Sequence, residues 1–301
     1  MNSEIIVTNL YPDHMHYESL RVSLETAGYR FVSLLRHEHD LPGYDGPAAA
    51  QFVFNYPISS ELVEVVLRRK AAGQPFVVMM DDPLAFFDCN INELIVPLLQ
   101  SAARVFTSTD NMIPIYRSLG VEARLLVGLG NPLFDVPDSV EESEMRYDWG
   151  YIGRMYPQRF RFFWQLERLV PEMTHFIVTS GFDCKAVLKR VRETRVNVAY
   201  GNFSDITDFK SNGTTLRAWE FPYAGAFILH DSRPLLADYF EENKSVVTFR
   251  TVEECAELIR YYVSRPEDRI SIARNAREII DRHRMMDFFP HLYRELIANG
   301  Q

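Results

Sequence analysis

The stretch 210–220, with the sequence KSNGTTLRAWE, concentrates groups that bind anions. A helix that begins within it would direct backbone N–H groups outward from the positive end of its dipole, and Gly213 would let the backbone approach a ligand closely. Positive side chains beside a helix start add charge-assisted hydrogen bonds. We therefore predict a phosphate or diphosphate site that is formed by Lys210, Asn212, Gly213, Thr214, Thr215 and Arg217.

Glu220 lies one helical turn beyond this predicted site. A carboxylate repels phosphate, so its natural partners are hydroxyl groups such as those of a ribose diol. A site that binds both a diphosphate and a diol is typical of nucleotide recognition. The same residues also fit an ordinary capped helix with an exposed arginine and glutamate, and the sequence leaves that interpretation open.

A second loop, GYIGRMYPQR at 150–159, follows a predicted strand. Gly153 allows a tight turn beside a ligand, and Arg154 and Arg159 are long enough to reach a diphosphate. The alternative is a strand-to-helix loop with solvated arginines. The chain has neither the GxxxxGK-S/T pattern nor a strand-linked GxGxxG, which removes the main support for a P-loop or a Rossmann dinucleotide site.

The residues that could act as a general base are in the first half of the chain. Asp13 and His14 follow the first predicted strand, and histidine suits acid–base work near neutral pH. Asp82 follows the buried run FVVMM and is the next candidate, although the sequence DDP also fits a helix cap and turn. The histidine pairs HMH and HEH make incomplete metal sites, so we predict no metal ion.

Short β-branched or aromatic runs alternate with longer amphipathic runs, which predicts α/β units with parallel sheets and right-handed crossovers. Residues 127–147 are rich in Gly, Pro and acidic residues and interrupt this alternation. The predicted fold is therefore two Rossmann-like domains that face a cleft, with ligands at the carboxyl ends of the strands. The predicted organisation is a first domain at 1–130, a linker at 131–147, a second domain at 148–284 and, at 285–301, a helix that packs back on the first domain.

Composition limits the class of protein. The 301 residues include 32 Lys and Arg against 41 Asp and Glu, and the formal net charge of −9 argues against nucleic acid as a partner. No apolar run approaches the ~20 residues of a membrane span. The three cysteines form no CxxC pair, which favours free thiols in a reducing compartment. We therefore expect a cytoplasmic protein.

The run GTTLRAWEFPYAGAFILHDSRPLLADYFEENKSVVTF resembles the carboxyl-terminal domain of GT-B glycosyltransferases. It is most similar to the spore-maturation CgeB-like group, whose pattern is R-x-F-E, a small-residue pair, a hydrophobic strand and an x-F-x-x-G-x-E-I/V-V-x-F/Y element. In this chain the pattern falls on Arg217, Trp219, Glu220, Ala224–Gly225, Phe227–Leu229, Phe240 and Val246–Phe249. The closing run CAELIRYYVSRPEDRISIARNAREIIDRH matches as well, and the resemblance is looser before residue 148.

This resemblance implies two Rossmann-like domains, a nucleotide-sugar donor bound by the second, an acceptor bound by the first, and transfer without a metal ion. The chain departs from the pattern at Trp219, which stands in place of phenylalanine, and at three further positions. Many relatives with retaining chemistry carry a glutamate where this chain has Asn212. The glycine and glutamate of the later element are Asn243 and Ser245 here, and asparagine tolerates a left-handed turn. Retaining and inverting stereochemistry both stay open.

The combined prediction is a glycosyltransferase that moves a sugar from a nucleoside diphosphate sugar, with a UDP-sugar favoured, to an acceptor hydroxyl that the sequence does not define. No cofactor beyond the donor substrate is expected. A non-catalytic protein that binds nucleotide-sugars with the same fold is the alternative from another class. A sugar epimerase or a phosphorylase is the enzymatic alternative.

Overall fold

The structure is a computed structural model that describes residues 4–8, 15–34, 48–54, 60–80, 91–137, 140–179, 183–201 and 212–300. The chain divides into two compact units. The first unit comprises Met1–Val127 and Met285–Gln301, and the second comprises Gly128–Arg284. The chain therefore passes between the units twice.

The described part of the first unit is built on one parallel sheet. Its strands are β1 Glu4–Thr8, β2 Arg30–Leu34, β3 Ala48–Phe54, β4 Phe76–Met80, β5 Arg104–Thr107 and β6 Ala123–Leu125. They are ordered β2-β1-β3-β4-β5-β6. All five residues of β4 are buried, as expected for a central strand that is covered on both faces. The helices are α1 Met15–Thr26, α2 Ser60–Ala71, α3 Ile91–Ser101 and α4 Ile113–Ser118.

The described part of the second unit is built on another parallel sheet. Its strands are β7 Tyr147–Ile152, β8 His175–Val178, β9 Thr194–Ala199, β10 Ile228–Asp231 and β11 Val247–Phe249, in the order β11-β10-β9-β7-β8. The helices are α5 Pro157–Leu169, α6 Cys184–Arg192, α7 Arg217–Tyr223, α8 Pro234–Ala237, α9 Val252–Val263 and α10 Pro266–Ile280. The predicted α/β class with parallel sheets is thus confirmed.

Side-chain alternation along β7 sets the core of the second unit. Trp149 and Tyr151 are two residues apart, so they lie on the same face of the sheet. Both pack on Phe163 of α5, with ring centroids 6.2 and 4.1 Å away. This packing fixes where β7 ends and, with it, the position of the loop that follows.

The described residues of the predicted linker, 131–147, belong instead to the second unit. Asp135 pairs with Arg277 of α10, and Glu142 pairs with Arg195 of β9 at 2.5 Å. The Gly, Pro and acidic content indicated a connection between domains, but ion pairs to regular elements hold this segment in place. The described part of this segment thus makes specific contacts within the second unit.

The carboxyl-terminal helix, α11 Met285–Gly300, belongs to the first unit. Tyr293 packs on Tyr29 with ring centroids 4.5 Å apart, and Phe289 packs edge-on against Phe52 of β3 at 5.7 Å. With 16 residues, α11 is the longest of the described helices. None of the helices in the described ranges is both long and apolar enough to cross a membrane.

Candidate functional site

Three neighbouring strands of the second sheet end at one edge. β7 is followed by Gly153, β9 is followed shortly by Gly201, and β10 ends in Asp231. Ligands of parallel α/β sheets bind at this carboxyl edge. The segment 212–217 runs across the edge, because Arg217 bonds the end of β7 and Thr215 bonds the end of β10.

The loop after β7 meets Arg217 in close contact. The Arg217 Nε donates to the carbonyl oxygen of Ile152, and its guanidinium lies 5.4 Å from the centroid of the Tyr151 ring. A Cβ atom at Gly153 would come within 2.1 Å of the Arg217 Nη2 atom, so a side chain at this position would displace the Arg217 guanidinium. The structure thus brings together two of the residues that the sequence predicted at a diphosphate.

Arg159 has a different position from the one that the sequence predicted. Its side chain is buried, and Nη1 donates to the Arg154 carbonyl at 2.8 Å. Burial lowers the pKa of the Arg159 guanidinium. Arg159 therefore holds the loop backbone and is not extended toward an open site, whereas the Arg154 side chain is exposed.

The helix that was predicted to begin within 210–220 starts beyond the predicted anion-binding residues Gly213–Thr215. The helix α7 begins at Arg217 and has seven residues, and no side chain caps it. The Thr215 N–H donates to Nε2 of His230 at 3.4 Å, so it does not point outward without a partner. The Thr214 hydroxyl accepts a hydrogen bond from the Trp219 indole at 3.0 Å. The free N–H groups that were expected to bind an anion are thus partly engaged.

A polar chain at the end of β10 holds Thr215. The His230 ring is completely buried, with Nδ1 2.7 Å from the Asp231 carbonyl oxygen and Nε2 2.9 Å from the Thr215 hydroxyl. If Nδ1 carries the proton, it donates to the carbonyl, and Nε2 then accepts from the hydroxyl. The Gly201 backbone also lies close to the Thr215 side chain, because a Cβ atom at Gly201 would lie 2.4 Å from Thr215 Cγ2.

Asp231 connects this chain to a buried arginine. Its carboxylate accepts two hydrogen bonds from Arg233, at 2.9 and 2.8 Å, and one from the Gly201 N–H at 3.1 Å. Burial raises the pKa of Asp231, but the charge of Arg233 and the hydrogen bonds that the carboxylate accepts outweigh that effect and hold the pKa well below its usual range. Arg233 also donates to the Gly213 carbonyl at 3.0 Å.

Glu220 is the most deeply buried acidic residue of the site, with 2% of its surface exposed. Among the described residues its carboxylate accepts one side-chain hydrogen bond, from Asn131 Nδ2 to Oε1 at 3.1 Å. Burial raises the pKa of Glu220 to about 7, against the lowering effects of Asn131 and Arg217. The second oxygen, Oε2, accepts no side-chain hydrogen bond from the described residues.

Several predicted residues lie outside the described ranges or at their border. Lys210 and the three candidates for the general base, Asp13, His14 and Asp82, fall outside them. Asn212 is half-buried at the first position of the described segment 212–300. Within the described ranges, no group of three or more His, Cys, Asp or Glu residues is arranged to hold a metal ion.

Sequence reasoning missed Asn131, His230, Asp231 and Arg233. The last three stand in the run HDSR directly after the apolar strand residues, and polar residues at a strand end were a signal for them. Asn131 gave no such signal, because its Asn-Pro sequence is typical of any turn.

The family model described as "Glycosyl transferase-like" matches residues 164–288. The matched segment covers most of the second unit, including α7 and β10. No curated protein sequence matches the chain.

Solved structures share the fold over nearly the whole chain. Sucrose-phosphate synthase from Thermosynechococcus elongatus has a TM-score of 0.68 at 11% identity, covering 99% of this chain and 100% of that one. HepE from Anabaena, solved in complex with UDP and glucose, has a TM-score of 0.61 at 10% identity, with coverages of 99% and 100%. The trehalose 6-phosphate synthase of Burkholderia multivorans has a TM-score of 0.62 at 11% identity, with coverages of 100% and 98%. The predicted GT-B fold class is thus confirmed.

The altered turn after α8 retains a left-handed residue. Asn243 has a φ of 61°, and its N–H donates to the Val246 carbonyl at 2.8 Å. Ser245 accepts a hydrogen bond from the Glu241 N–H through its hydroxyl at 2.7 Å. Asparagine tolerates this conformation better than most residues, so it can replace a glycine here.

Proposed function

We propose that the protein is a glycosyltransferase that moves a sugar from a nucleoside diphosphate sugar, with a UDP-sugar favoured, to an acceptor hydroxyl. The observation that carries the proposal is the buried Glu220 carboxylate, with one oxygen open to a donor, within the segment that the glycosyl transferase-like model matches. In the reaction, the bond between the anomeric carbon and the diphosphate oxygen breaks. The acceptor oxygen bonds to that carbon, and its proton passes to a base.

The nucleotide ribose is the proposed partner of Glu220. An ionised carboxylate offers only acceptors, and the two hydroxyls of a diol offer two donors. Exclusion of water strengthens such hydrogen bonds. The complex of HepE with UDP and glucose, which shares the fold, supports UDP as the first nucleotide to test.

The departing diphosphate needs stabilisation of its developing charge. We assign this role to Arg217 and to the exposed Arg154, with Lys210 and the hydroxyls of Thr214 and Thr215 beside them. Fixed positive groups that are aimed at the leaving group can stabilise it in the place of a metal ion. We therefore propose transfer that is independent of metal ions and of any cofactor.

The acceptor hydroxyl would be activated from the first unit. His14 is our first choice for the base, because it follows β1 and histidine suits proton transfer near neutral pH. Asp13 and Asp82 are the other candidates. The finer family assignment that we propose is the CgeB-like group, on the residues Arg217–Glu220 and the run that follows. We propose a cytoplasmic location on the cysteine pattern.

Mass spectrometry of the released nucleotide and sugar tests the proposal. The protein would be incubated with UDP-, GDP- and ADP-sugars and a set of acceptor glycans. We expect release of UDP together with a glycosylated acceptor. Binding of UDP without turnover would favour a non-catalytic nucleotide-sugar protein, and an isomerised sugar would favour an epimerase.

A matched pair of arginine variants makes this test specific to the site. Arg217→Ala should weaken UDP binding by ~1.5–3 kcal/mol, the usual range for a hydrogen bond to a charged group. Arg161→Ala removes an exposed arginine on α5 and should leave binding unchanged. Equal effects of the two variants would contradict the assigned site.

A further inference from the structure

Asn131 is completely buried, and its amide is fixed at both ends. Oδ1 accepts a hydrogen bond from the Leu133 N–H at 3.0 Å, at the start of the 3₁₀ turn Pro132–Phe134. Nδ2 is then the group that faces Glu220 Oε1 at 3.1 Å. A flipped amide would lose both hydrogen bonds. The donor to Glu220 is therefore oriented by the fold.

The backbone around Asn131 is packed tightly against α7 and the end of α10. The Gly130 N–H donates to the His283 carbonyl at 2.7 Å. A Cβ atom at Gly128 would lie 2.2 Å from the Trp219 ring. Because both glycines are held this closely, Asn131 has little freedom to move relative to the helix that carries Glu220.

The charged and titratable groups around Glu220 lie on α7 and on the elements that pack against it, which are α10, β9, β10 and the 3₁₀ turn Pro132–Phe134. Burial raises the pKa of Glu220, and the Asn131 hydrogen bond and the charge of Arg217 on α7 partly offset that effect. The other such groups include Tyr223 on α7, Arg195 on β9, His230 and Asp231 on β10, Asp135 beside the turn, and Glu267, Asp268, Arg269, Arg274, Arg277, Glu278, Asp281, Arg282 and His283 on or after α10. Arg277 is paired with Asp135, and His230 with Thr215.

We propose that Asn131 is a positioning residue for donor binding, which holds the Glu220 carboxylate ionised and leaves Oε2 for the ribose hydroxyls. It thereby sets the pH below which the nucleotide is released. The inference rests on the proposed donor role of Glu220.

The expected pH dependence follows from the two forms of the carboxyl group. The ionised form accepts from both hydroxyls of a diol, whereas the protonated form must donate a proton itself and accepts less. Since the pKa of Glu220 is raised to about 7, affinity for the nucleotide falls as the pH is lowered through that value. Without Asn131, a hydrogen bond that favours the charged form is lost, so affinity falls at a higher pH.

The test measures the Kd of UDP by titration calorimetry between pH 6 and 9. Wild type is compared with Glu220→Gln, Asn131→Leu and Asn131→Ser. UDP has its own titration, so each affinity is divided by that of Glu220→Gln at the same pH. We expect a midpoint near the Glu220 pKa in wild type and a rise of about one pH unit in both Asn131 variants. Serine can still cap the Leu133 N–H, so a shift in both variants is not due to loss of the turn.

A second buried asparagine provides the control. Asn197 of β9 donates to the carbonyls of Val191 and Phe227, at 3.1 and 3.2 Å. Asn197→Leu should lower stability without moving the midpoint. A midpoint that stays in place in both Asn131 variants, while wild type binds UDP, would overturn the positioning role and leave the proposed function intact.

A ligand-free readout separates the two proposals. The ¹³C chemical shift of the Glu220 carboxyl, assigned by its loss in Glu220→Gln, reports its titration directly. Failure of wild type to bind UDP at any pH contradicts the proposed function. In that case, a Glu220 pKa that is unchanged in the Asn131 variants also overturns the positioning role of Asn131. A higher Glu220 pKa in both variants supports that role.

Discussion

The two sheets have the same parallel hydrogen bonding, but their carboxyl edges differ. In the second unit, Gly153 lies against Arg217 and Gly201 against Thr215, and Arg233 joins Asp231 to the Gly213 carbonyl. In the described part of the first unit, residues 108–111 after β5 carry no positive side chain, and Asp110 is acidic. There the Thr109 hydroxyl donates to Asn111 Oδ1 at 2.6 Å. An edge that holds arginines suits an anionic nucleotide, whereas an edge without positive side chains suits a polar acceptor.

The two units also differ in the roles that we propose for their residues, which are donor binding in the second unit and proton transfer in the first. Every described candidate for donor binding is in the second unit, and each is held by contacts within that unit. The candidates for the base belong to the first unit and come after β1 or β4 in the sequence. Variants of the two units should therefore separate donor binding from turnover.

The largest effect is expected from the base in the first unit. His14→Ala should lower kcat by ~10²–10⁴ and leave the Kd of the donor nearly unchanged, because general-base catalysis acts on the acceptor proton. Steady-state kinetics of His14→Ala, Asp13→Ala and Asp82→Ala would identify the residue. A full rate for His14→Ala with a collapse for Asp82→Ala moves the base to the end of β4. Full rates in all three variants would mean that the base lies on another face of the first unit.

The next effect concerns the charged network of the second unit. Asp231→Asn removes the partner of the buried Arg233 and should lower the free energy of unfolding by ~3–5 kcal/mol. The pKa of Asp231 is depressed, so its contribution is present above its ordinary value of 3.8 and is lost as the pH falls toward the folded-state value. Urea titrations at several pH values check this.

A surface pair of the first unit is the control for that measurement. Glu18 and Arg21 form an exposed pair on α1. Exposed pairs contribute little, so Glu18→Gln should change stability by less than about 1 kcal/mol. A similar loss of unfolding free energy in Asp231→Asn and Glu18→Gln would contradict the structural role of the buried ion pair in the second unit.

Glu220→Gln should affect binding and stability in opposite directions. Loss of the carboxylate should weaken UDP binding by ~1–3 kcal/mol. The pKa of Glu220 rises from 4.5 to about 7 on folding, so wild type loses stability as the pH increases through that interval. Above pH 7 the variant should be more stable by up to ~3 kcal/mol, at ~1.4 kcal/mol per pH unit. Thermal unfolding at pH 5 and pH 8 checks the sign, because the difference between the proteins should be smaller at pH 5.

The smallest effect is expected from metal removal. Fixed positive groups replace a metal ion in this account, so EDTA should leave the transfer rate unchanged. Complete loss of activity that Mn²⁺ or Mg²⁺ restores would show that carboxylates or histidines in the first unit hold a metal.

The sequence predicted the architecture because its periodicity is local. Strand runs such as FVVMM and SVVTF stand between amphipathic stretches, and this pattern requires parallel sheets. It could not predict that 131–147 is held by the second unit. The ion pairs of Asp135 and Glu142 join residues far apart in sequence, and composition does not report them.

The sequence predicted where the candidate site lies, but it did not predict the contacts of the individual side chains there. Gly153 and Arg217 meet because a glycine at a strand end permits close approach, which the sequence indicates. The burial of Arg159 and the engagement of Thr215 by His230 depend on tertiary packing. For the same reason, the short α7 starts only at Arg217, beyond the Thr214 and Thr215 residues that were predicted to bind an anion.

The most direct test of the central claim is a crystal structure of the protein with UDP. We predict the diphosphate at the carboxyl edge of β7, β9 and β10, beside Arg217, and the ribose hydroxyls within hydrogen-bond distance of Glu220. A nucleotide bound instead at the strand ends of the first unit would contradict it.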